Sequence, residues 1–446
     1  MPKRIALINP PSPFLISERV TPNTGILSVA TEIRNAGLDV KVFDFCGNPD
    51  YREEMARVAG EDFDVYGFST TSAQFSHSHD LLDILKGIKP EAFTIVGGAH
   101  TSAIASLRKK MSAEERARDP NIRALEDFDV IFSGEGERVA EQLFENGPKW
   151  REMPLIRDLN TVSIPDRSFF DIKSYHYQIN GVESTSLLTQ RGCPFKCKFC
   201  CGRNIDAYNT LRFFSPERVL EELDYLNKEF GFKAFMWQDE EINLSPKRVF
   251  ELSKLLEKRP YIHRGMVRSD LVVQHPETLE ALVNAGFVEV CAGVESGSDR
   301  ILKIINKGTS AEMNLRAAEE IRNAGMTFKA FLMLGSPSET YEDIELTKRW
   351  LLEAKPDSFD LAILQPYPGS IIYDEAVPST RFEGYGVEYW GQLFFNRMDF
   401  SKSPSFYKGI PGQYRCSVRT EELSSEELVK VRDNLEKEAK KALYSK

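Results

Sequence analysis

The stretch Thr189–Gly202 reads TQRGCPFKCKFCCG. It holds four of the seven cysteines in a chain of 446 residues, and Cys193, Cys197 and Cys200 keep a C-x3-C-x2-C spacing. An odd cysteine count with local crowding suits a reducing compartment, where such thiols are metal ligands or catalysts rather than disulfide partners. Three thiolates hold three irons of a [4Fe–4S] cluster and leave the fourth iron open to a substrate or cofactor. A closed structural zinc site instead wants four ligands in paired C-x2-C spacing. Cys201 offers a fourth thiol, but adjacent residues rarely reach one metal together, and its role is unassigned.

Working outward, STSLLTQ just before the cysteines is strand-like, and strand and helix patterns alternate after it. The further strand candidates are AFMWQDEEI, HRGMVRSDL, FVEVCAGVES, TFKAFLMLGS and DLAILQPYPG. Helical stretches such as SPERVLEELDYLNKEFG and SAEMNLRAAEEIRNAG separate them, each opened by an N-cap serine and closed by a glycine. Six βα units predict a partial (β/α)6 TIM barrel over residues 183–380, with its chemistry at the strand carboxyl ends.

Upstream, residues 1–145 alternate in the same way. RIALINPP, DVKVFDF, FDVYGFSTTS, AFTIVGGAHTS and FDVIFSGEGE read as strands; TGILSVATEIRNAG and HDLLDILKGIKP read as helices. Near-continuous apolar strands alternating with helices predict a parallel, doubly wound, Rossmann-like sheet. Its ligand crevice is expected outside the strand carboxyl ends, at Ser69–Ser72, Gly97–Thr101 and Ser133–Glu137. Residues 146–182 lack periodicity and read as a linker. Residues 381–446 hold an aromatic segment, VEYWGQLFFNRMDF, and a charged helix. The aromatic segment is either a lid over the barrel or the packing of the tail onto the core.

Composition narrows the function classes. With 41% hydrophobic and 28% charged residues and no repeat, the chain is globular. A net charge of −10 argues against a nucleic-acid partner, which wants a basic face. The first apolar run stops at Pro10 and Pro11, too short for a signal sequence or a membrane span, so a cytoplasmic protein with no membrane partner is expected.

With its aromatic residue before the last cysteine, CPFKCKFC resembles the radical S-adenosylmethionine enzymes. The resemblance implies that the open iron chelates S-adenosylmethionine, and that reduction of the cluster cleaves it to a 5′-deoxyadenosyl radical. It further implies that Phe199 meets the adenine and that WQDEEI supplies Asp239 or Glu240 to the methionine amino group. Arg268 of MVRSD would meet the cofactor carboxylate. Glu295 and Ser296 of GVESGSDRILKIINKG would serve the ribose and carboxylate, and Gly335 of LGSPSET the fifth strand end. Residues 1–145 resemble the cobalamin-binding domain often fused ahead of such barrels. That likeness implies cobalamin contacts at Ser69, Thr70, Gly97, Gly98, His100, Thr101, Gly134 and Glu135, although these glycines also serve tight turns. The D-x-H-x-x-G loop of histidine-ligating cobalamin domains is absent, so base-off cobalamin with no histidine on cobalt is expected.

If Glu295 faces the barrel interior, a period of two also turns Gly293, Cys291 and Glu289 inward. Cys291 is then either a hydrogen-atom donor or a small core residue. Cys416 reaches the active-site mouth if the tail folds back, and Cys46 is expected to be structural. The expected reaction is cobalamin-dependent methylation of an unactivated carbon or phosphorus in a small molecule. The alternative is a radical dehydratase, epimerase or cyclase acting on a sugar or specialised metabolite, with no net methyl transfer. Either needs an external one-electron reductant of flavodoxin or ferredoxin type. A metal-stapled binding module would leave the ordered barrel motifs unexplained.

Overall fold

The computed structural model describes residues 3–12, 17–402 and 414–444. Strands β1 (Arg4–Asn9), β2 (Asp39–Asp44), β3 (Val65–Ser69), β4 (Thr94–Gly97), β5 (Val130–Ser133) and β6 (Trp150–Glu152) form one sheet in the order 2-1-3-4-5-6. Every neighbouring pair is parallel. Its strands read as apolar runs because both faces are covered. Ile5, Leu7 and Ile95 pack against Ile26, Leu27 and Ile33 of the helix Thr24–Asn35. Ile8, Phe68 and Val96 pack against Leu81, Leu82 and Leu85 of the helix Phe75–Ile88. Strand order reverses between β1 and β3, which opens a crevice at their carboxyl ends.

β6 lies inside the segment expected to be a linker. Three residues are too few to carry an alternation signal, yet they close the sheet by pairing with β5.

The second sheet is built from β7 (Gln178–Ile179), β8 (Val182–Leu187), β11 (Ala234–Trp237), β12 (Ile262–Met266), β13 (Phe287–Glu295), β14 (Thr327–Leu334) and β15 (Ser358–Ile363), in the order 15-14-13-12-11-8-7. A short antiparallel pair, β9 (Gln190–Arg191) and β10 (Arg212–Phe213), brackets the cysteine loop. Six strands are parallel and β7 is an antiparallel edge, so the sheet is a curled half-barrel. Intervening helices start and stop as their caps dictate. Ser215 caps Pro216–Phe230, which ends at Gly231 with φ +81°, and Ser310 caps Ala311–Asn323. Val290, Ala292 and Val294 of β13 are fully buried beneath these helices, which turns Glu289, Cys291, Gly293 and Glu295 to the concave side.

The tail adds a small antiparallel sheet of β16 (Val377–Pro378), β17 (Val387–Tyr389), β18 (Leu393–Phe395) and β19 (Val418–Thr420). Tyr389, Leu393, Phe394, Phe395 and Phe400 are all buried. Most of the aromatic segment is therefore packing of the tail onto the core, with Phe400 set against His100 and Tyr367, while Trp390 stays exposed beneath Lys198 of the cysteine loop. The start of the segment that leads to Cys416, residues 411–413, lies outside the described residues. The helix Ser425–Tyr444 buries Leu428, Leu435 and Ala439, and Arg432 Nε donates to the Leu361 carbonyl at 2.9 Å. Among the described residues no helix is long and apolar enough to cross a membrane.

Candidate active site

The three spaced cysteines lie on the loop that follows β9, and the rest of the barrel ties that loop down. Arg203 Nη1 donates to the carbonyls of Cys193 (2.6 Å) and Phe195 (2.5 Å), and Asn306 Nδ2 donates to Lys196 at 2.8 Å. The Lys198 amide donates to Ile305 at 2.9 Å, and its carbonyl accepts from Ile372 at 3.1 Å. Arg268 is buried against the same loop. Its Nη1 lies 3.9 Å from Cys197 Sγ, its guanidinium sits 3.5 Å over the Phe195 ring, and its Nε is 2.8 Å from Asp270. Burial raises the pKa of Cys193 and of Cys200 above the ordinary thiol value, so bound metal has to displace their protons. Three closely spaced soft thiols, one of them 3.9 Å from a buried guanidinium, suit a thiolate-held cluster. Among the described residues no three His, Cys, Asp or Glu side chains gather around a point for one metal ion. Ligands of a four-iron cluster bind separate irons and need no such convergence.

The acidic run after β11 divides its labour. Asp239 is buried and accepts from the amides of Thr189 (2.6 Å) and Gln190 (3.1 Å) and from the Thr189 hydroxyl. It ties the end of β11 to the end of β8. Glu240 is exposed and lines the domain cleft. Glu241 was not among the expected residues. It is buried, its Oε2 has no partner within the protein, and burial raises its pKa to about 7 against the opposing charges of Lys307 and Arg268. Its free oxygen makes it the carboxylate of the three best suited to an incoming ammonium group.

Glu295 takes φ +65°, a left-handed conformation uncommon outside glycine, and pairs with Lys307 Nζ at 3.0 Å. Ser296 is turned away from the lumen: its hydroxyl is 3.1 Å from Thr347 Oγ1 and accepts from the Ser298 amide. Phe199 is half-buried against the barrel core. Gly335, at φ +80°, donates its amide to the Glu339 carboxylate.

Deeper in the lumen Arg264 Nε meets Glu289 Oε1 at 2.5 Å, and the Cys291 thiol lies 3.6 Å from the same oxygen. Burial pushes the Cys291 pKa up to about 12, so the thiol stays protonated. Cys416 sits on the tail segment fixed beside the carboxyl end of β15. Its thiol donates to the Val418 carbonyl at 3.1 Å, while Tyr414 and Ser417 fix the tail to Ile363 and Gln365 past β15. Cys46 donates to the Pro10 carbonyl at 3.3 Å and accepts from Asn9. Nothing in the structure explains the Cys201 thiol.

A cleft of about 370 Å³ separates the two sheets. Its floor is apolar (Leu7, Ile26, Ile95, Phe132), and its rim carries Ser69, Thr70, Gly97, Gly98, Gly134 and Glu135 from the first sheet. Gln190, Arg191, Tyr208 and Glu240 face them from the barrel. A Cβ on Gly98, whose φ is +113°, would lie 2.6 Å from the Thr70 carbonyl oxygen, and one on Gly134 would lie 2.7 Å from that of Met153. These two glycines are required by close backbone packing. Gly97 has room for a Cβ and lacks one, which leaves its backbone open to a ligand. An apolar floor under a rim of small residues suits a large, flat, partly apolar group such as a corrinoid.

His100 and Thr101 do not line this cleft. His100 is fully buried between Phe75 and Phe400, with Nδ1 3.0 Å from Ser72 Oγ, and burial lowers its pKa to about 3. Thr101 donates back to the Gly98 carbonyl at 2.8 Å. Glu135 works mainly as a joint between the sheets. It accepts from Arg191 (2.8 Å), Arg212 (2.7 Å) and the Ile156 amide (2.6 Å), while Glu137 pairs with Arg191 and accepts from Ser28.

Residues 187–351 match the radical SAM superfamily and residues 17–116 match the B12 binding domain. The chain carries a B12-binding domain followed by a radical S-adenosylmethionine domain. Among curated relatives, an uncharacterized methyltransferase of Pyrococcus horikoshii is 25% identical over 84% of this enzyme and 84% of the relative. An anaerobic magnesium-protoporphyrin IX monomethyl ester cyclase of Rubrivivax gelatinosus is 25% identical over 70% of the enzyme, which spans 58% of that longer protein. Among solved structures, the radical S-adenosylmethionine methyltransferase TsrM from Kitasatospora setae, with cobalamin and a [4Fe-4S] cluster bound, superposes with a TM-score of 0.65. It is 16% identical, and the match covers 84% of the enzyme and 77% of TsrM.

Proposed function

We propose that the enzyme methylates an unactivated carbon or phosphorus centre of a small molecule, using S-adenosylmethionine, a [4Fe–4S] cluster and cobalamin. The observation that carries this reading is the cleft. Thr70, Gly97 and Gly98 face Gln190, Arg191 and Glu240 across it, and the barrel rim that supplies those three also supplies the cysteine loop. A corrinoid in the cleft and a cofactor on the open iron would face one shared space. When bound, the corrinoid supplies the methyl group, and the cluster with S-adenosylmethionine supplies the hydrogen-abstracting radical.

The chain's own residues bind and orient. Cys193, Cys197 and Cys200 would hold the iron, Arg268 the cofactor carboxylate, Glu241 its ammonium, and Glu295 the ribose. Glu289 and Cys291 lie deeper in the lumen, within reach of a small substrate. The methyltransferase name of the Pyrococcus relative and the cobalamin in TsrM support the reading. His77 lies 3.3 Å from the Tyr51 hydroxyl, His79 is bound to Asp127 and His100 to Ser72; base-off cobalamin with no histidine on cobalt is part of the proposal.

For a substrate RH the balance is two S-adenosylmethionine and two electrons in; methylated substrate, methionine, 5′-deoxyadenosine and S-adenosylhomocysteine out. The electrons require an external one-electron donor of flavodoxin or ferredoxin type. Seven free cysteines support a reducing, cytoplasmic setting. The test is anaerobic turnover with substrate candidates and a chemical reductant, followed by nucleoside analysis. Equal amounts of 5′-deoxyadenosine and S-adenosylhomocysteine are expected. 5′-Deoxyadenosine without matching S-adenosylhomocysteine would contradict methyl transfer and favour a dehydratase, epimerase or cyclase.

A further inference from the structure

Lys307 is the last residue but one of ILKIINKG, where a lysine reads as a solvated surface charge, yet it is only 6% exposed. Its Nζ stands 3.0 Å from Glu295 Oε1. The pair fills the hollow beside Gly293: a Cβ there would collide with the Glu295 carboxylate and lie 2.8 Å from the Lys307 ammonium. Glu295 holds φ +65°, a conformation that persists in a non-glycine residue only where its surroundings impose it. The Lys307 backbone carbonyl, in turn, accepts a hydrogen bond from Arg268 Nη2, and Arg268 Nη1 lies 3.9 Å from Cys197 Sγ. One short segment thus buries an ammonium in the lumen and, through its backbone carbonyl, anchors the guanidinium that lies beside Cys197.

The Glu295 carboxylate, 3.0 Å away, favours the charged form of the buried Lys307 ammonium. A buried ion pair is a poor source of stability, because well-packed apolar residues usually do as well. Charge kept at such a place points to function.

We propose that Lys307 is a further functional residue of the cluster site: its ammonium, held by Glu295 in the space that Gly293 leaves, raises the reduction potential of the cluster bound at Cys197. Reduction adds a negative charge to the cluster, and a buried cation nearby stabilises that reduced state more strongly than it would in water. Net charge around the cluster is one of the factors that set such potentials. Lys307 is a positioning residue with a fixed charge and need not touch the substrate. The inference rests on the cluster assignment above and is independent of methyl transfer.

The test is an EPR-monitored redox titration of the iron-loaded protein without S-adenosylmethionine. Lys307→Met is expected to shift the midpoint to a more negative potential, and Lys307→Arg to stay near the parent. Glu295→Gln is expected to shift it the other way, because the ammonium loses its counter-charge. Lys303→Met, at an exposed lysine one turn earlier, is expected to change nothing. A parent-like midpoint in iron-loaded Lys307→Met would overturn the proposal. Should Lys307→Met not fold, Lys307→Gln, which removes the charge and keeps a polar head, decides in its place. Failure of the unaltered chain to bind iron would instead contradict the cluster assignment itself.

Discussion

Arg191→Met tests the joint between the two sheets. Arg191 is the only partner shared by Glu135 and Glu137 in the network described above, and all three side chains are largely buried. Removing one member of a buried ion pair costs about 3–5 kcal/mol, because the other charge is left without compensation. Here Glu135 keeps Arg212 at 2.7 Å, whereas Glu137 keeps no cation, its remaining partners being the Ser28 hydroxyl at 3.0 Å and its own backbone amide. One stranded carboxylate rather than two places the loss near the lower end, about 3 kcal/mol.

The loss depends on pH. Burial pushes the Glu137 pKa up, but the charge and hydrogen bond of Arg191 outweigh burial and hold it below the ordinary carboxylate value. A carboxylate depressed in this way contributes stability above its unfolded pKa and loses it as pH falls through the folded pKa. The gap between Arg191→Met and the parent is therefore widest near neutrality and narrows in acid. Urea unfolding followed by tryptophan fluorescence reads both sheets, because Trp150 lies on β6 and Trp237 on β11. Adding Glu137→Leu removes the stranded charge, so the double variant should recover part of the loss. An unchanged midpoint for Arg191→Met at neutral pH, or strictly additive losses in the double variant, would refute the reasoning.

Three further outcomes follow from local geometry. Gly98→Ala forces φ +113° on a residue with a Cβ and drives it against the Thr70 carbonyl; it should lower stability by about 1–3 kcal/mol in thermal melts and reduce corrinoid retention. Glu241→Gln should weaken S-adenosylmethionine binding in equilibrium dialysis with little change in melting temperature, whereas Asp239→Asn should lower the melting temperature by disturbing its hydrogen bonds to Thr189 and Gln190. Burial raises the Glu339 pKa from 4.5 to about 8, so its contribution to stability is lost as pH rises through that range. Glu339→Gln, which keeps an acceptor for the Gly335 and Ser336 amides, should flatten that pH dependence in urea titrations.

The parallel sheets were legible because buried strands read as apolar runs and capped helices announce their ends. β6 and β7 were not, since three or two residues carry no period. The cysteine spacing is a local feature and so survives in one dimension. Within Asp239–Glu241 the choice of carboxylate does not, because those residues follow the end of β11 and the alternation of the strand stops there. Arg203 and Lys307 have the residue types of surface positions, and only the crossing of the chain over the cysteine loop buries them. His100 sits two residues beyond Gly98, but the helix Ala99–Lys110 turns its ring from the cleft toward Phe75.

The central claim is a cluster held by three thiols beside a corrinoid. The most direct measurement is iron, cobalt and zinc analysis of protein purified without oxygen after growth with cobalamin, beside Cys193→Ala, Cys197→Ala and Cys200→Ala. The account predicts about four irons per chain with stoichiometric cobalt, and in each variant loss of iron with cobalt retained. Zinc in place of iron, or iron that survives the loss of these cysteines, would contradict it.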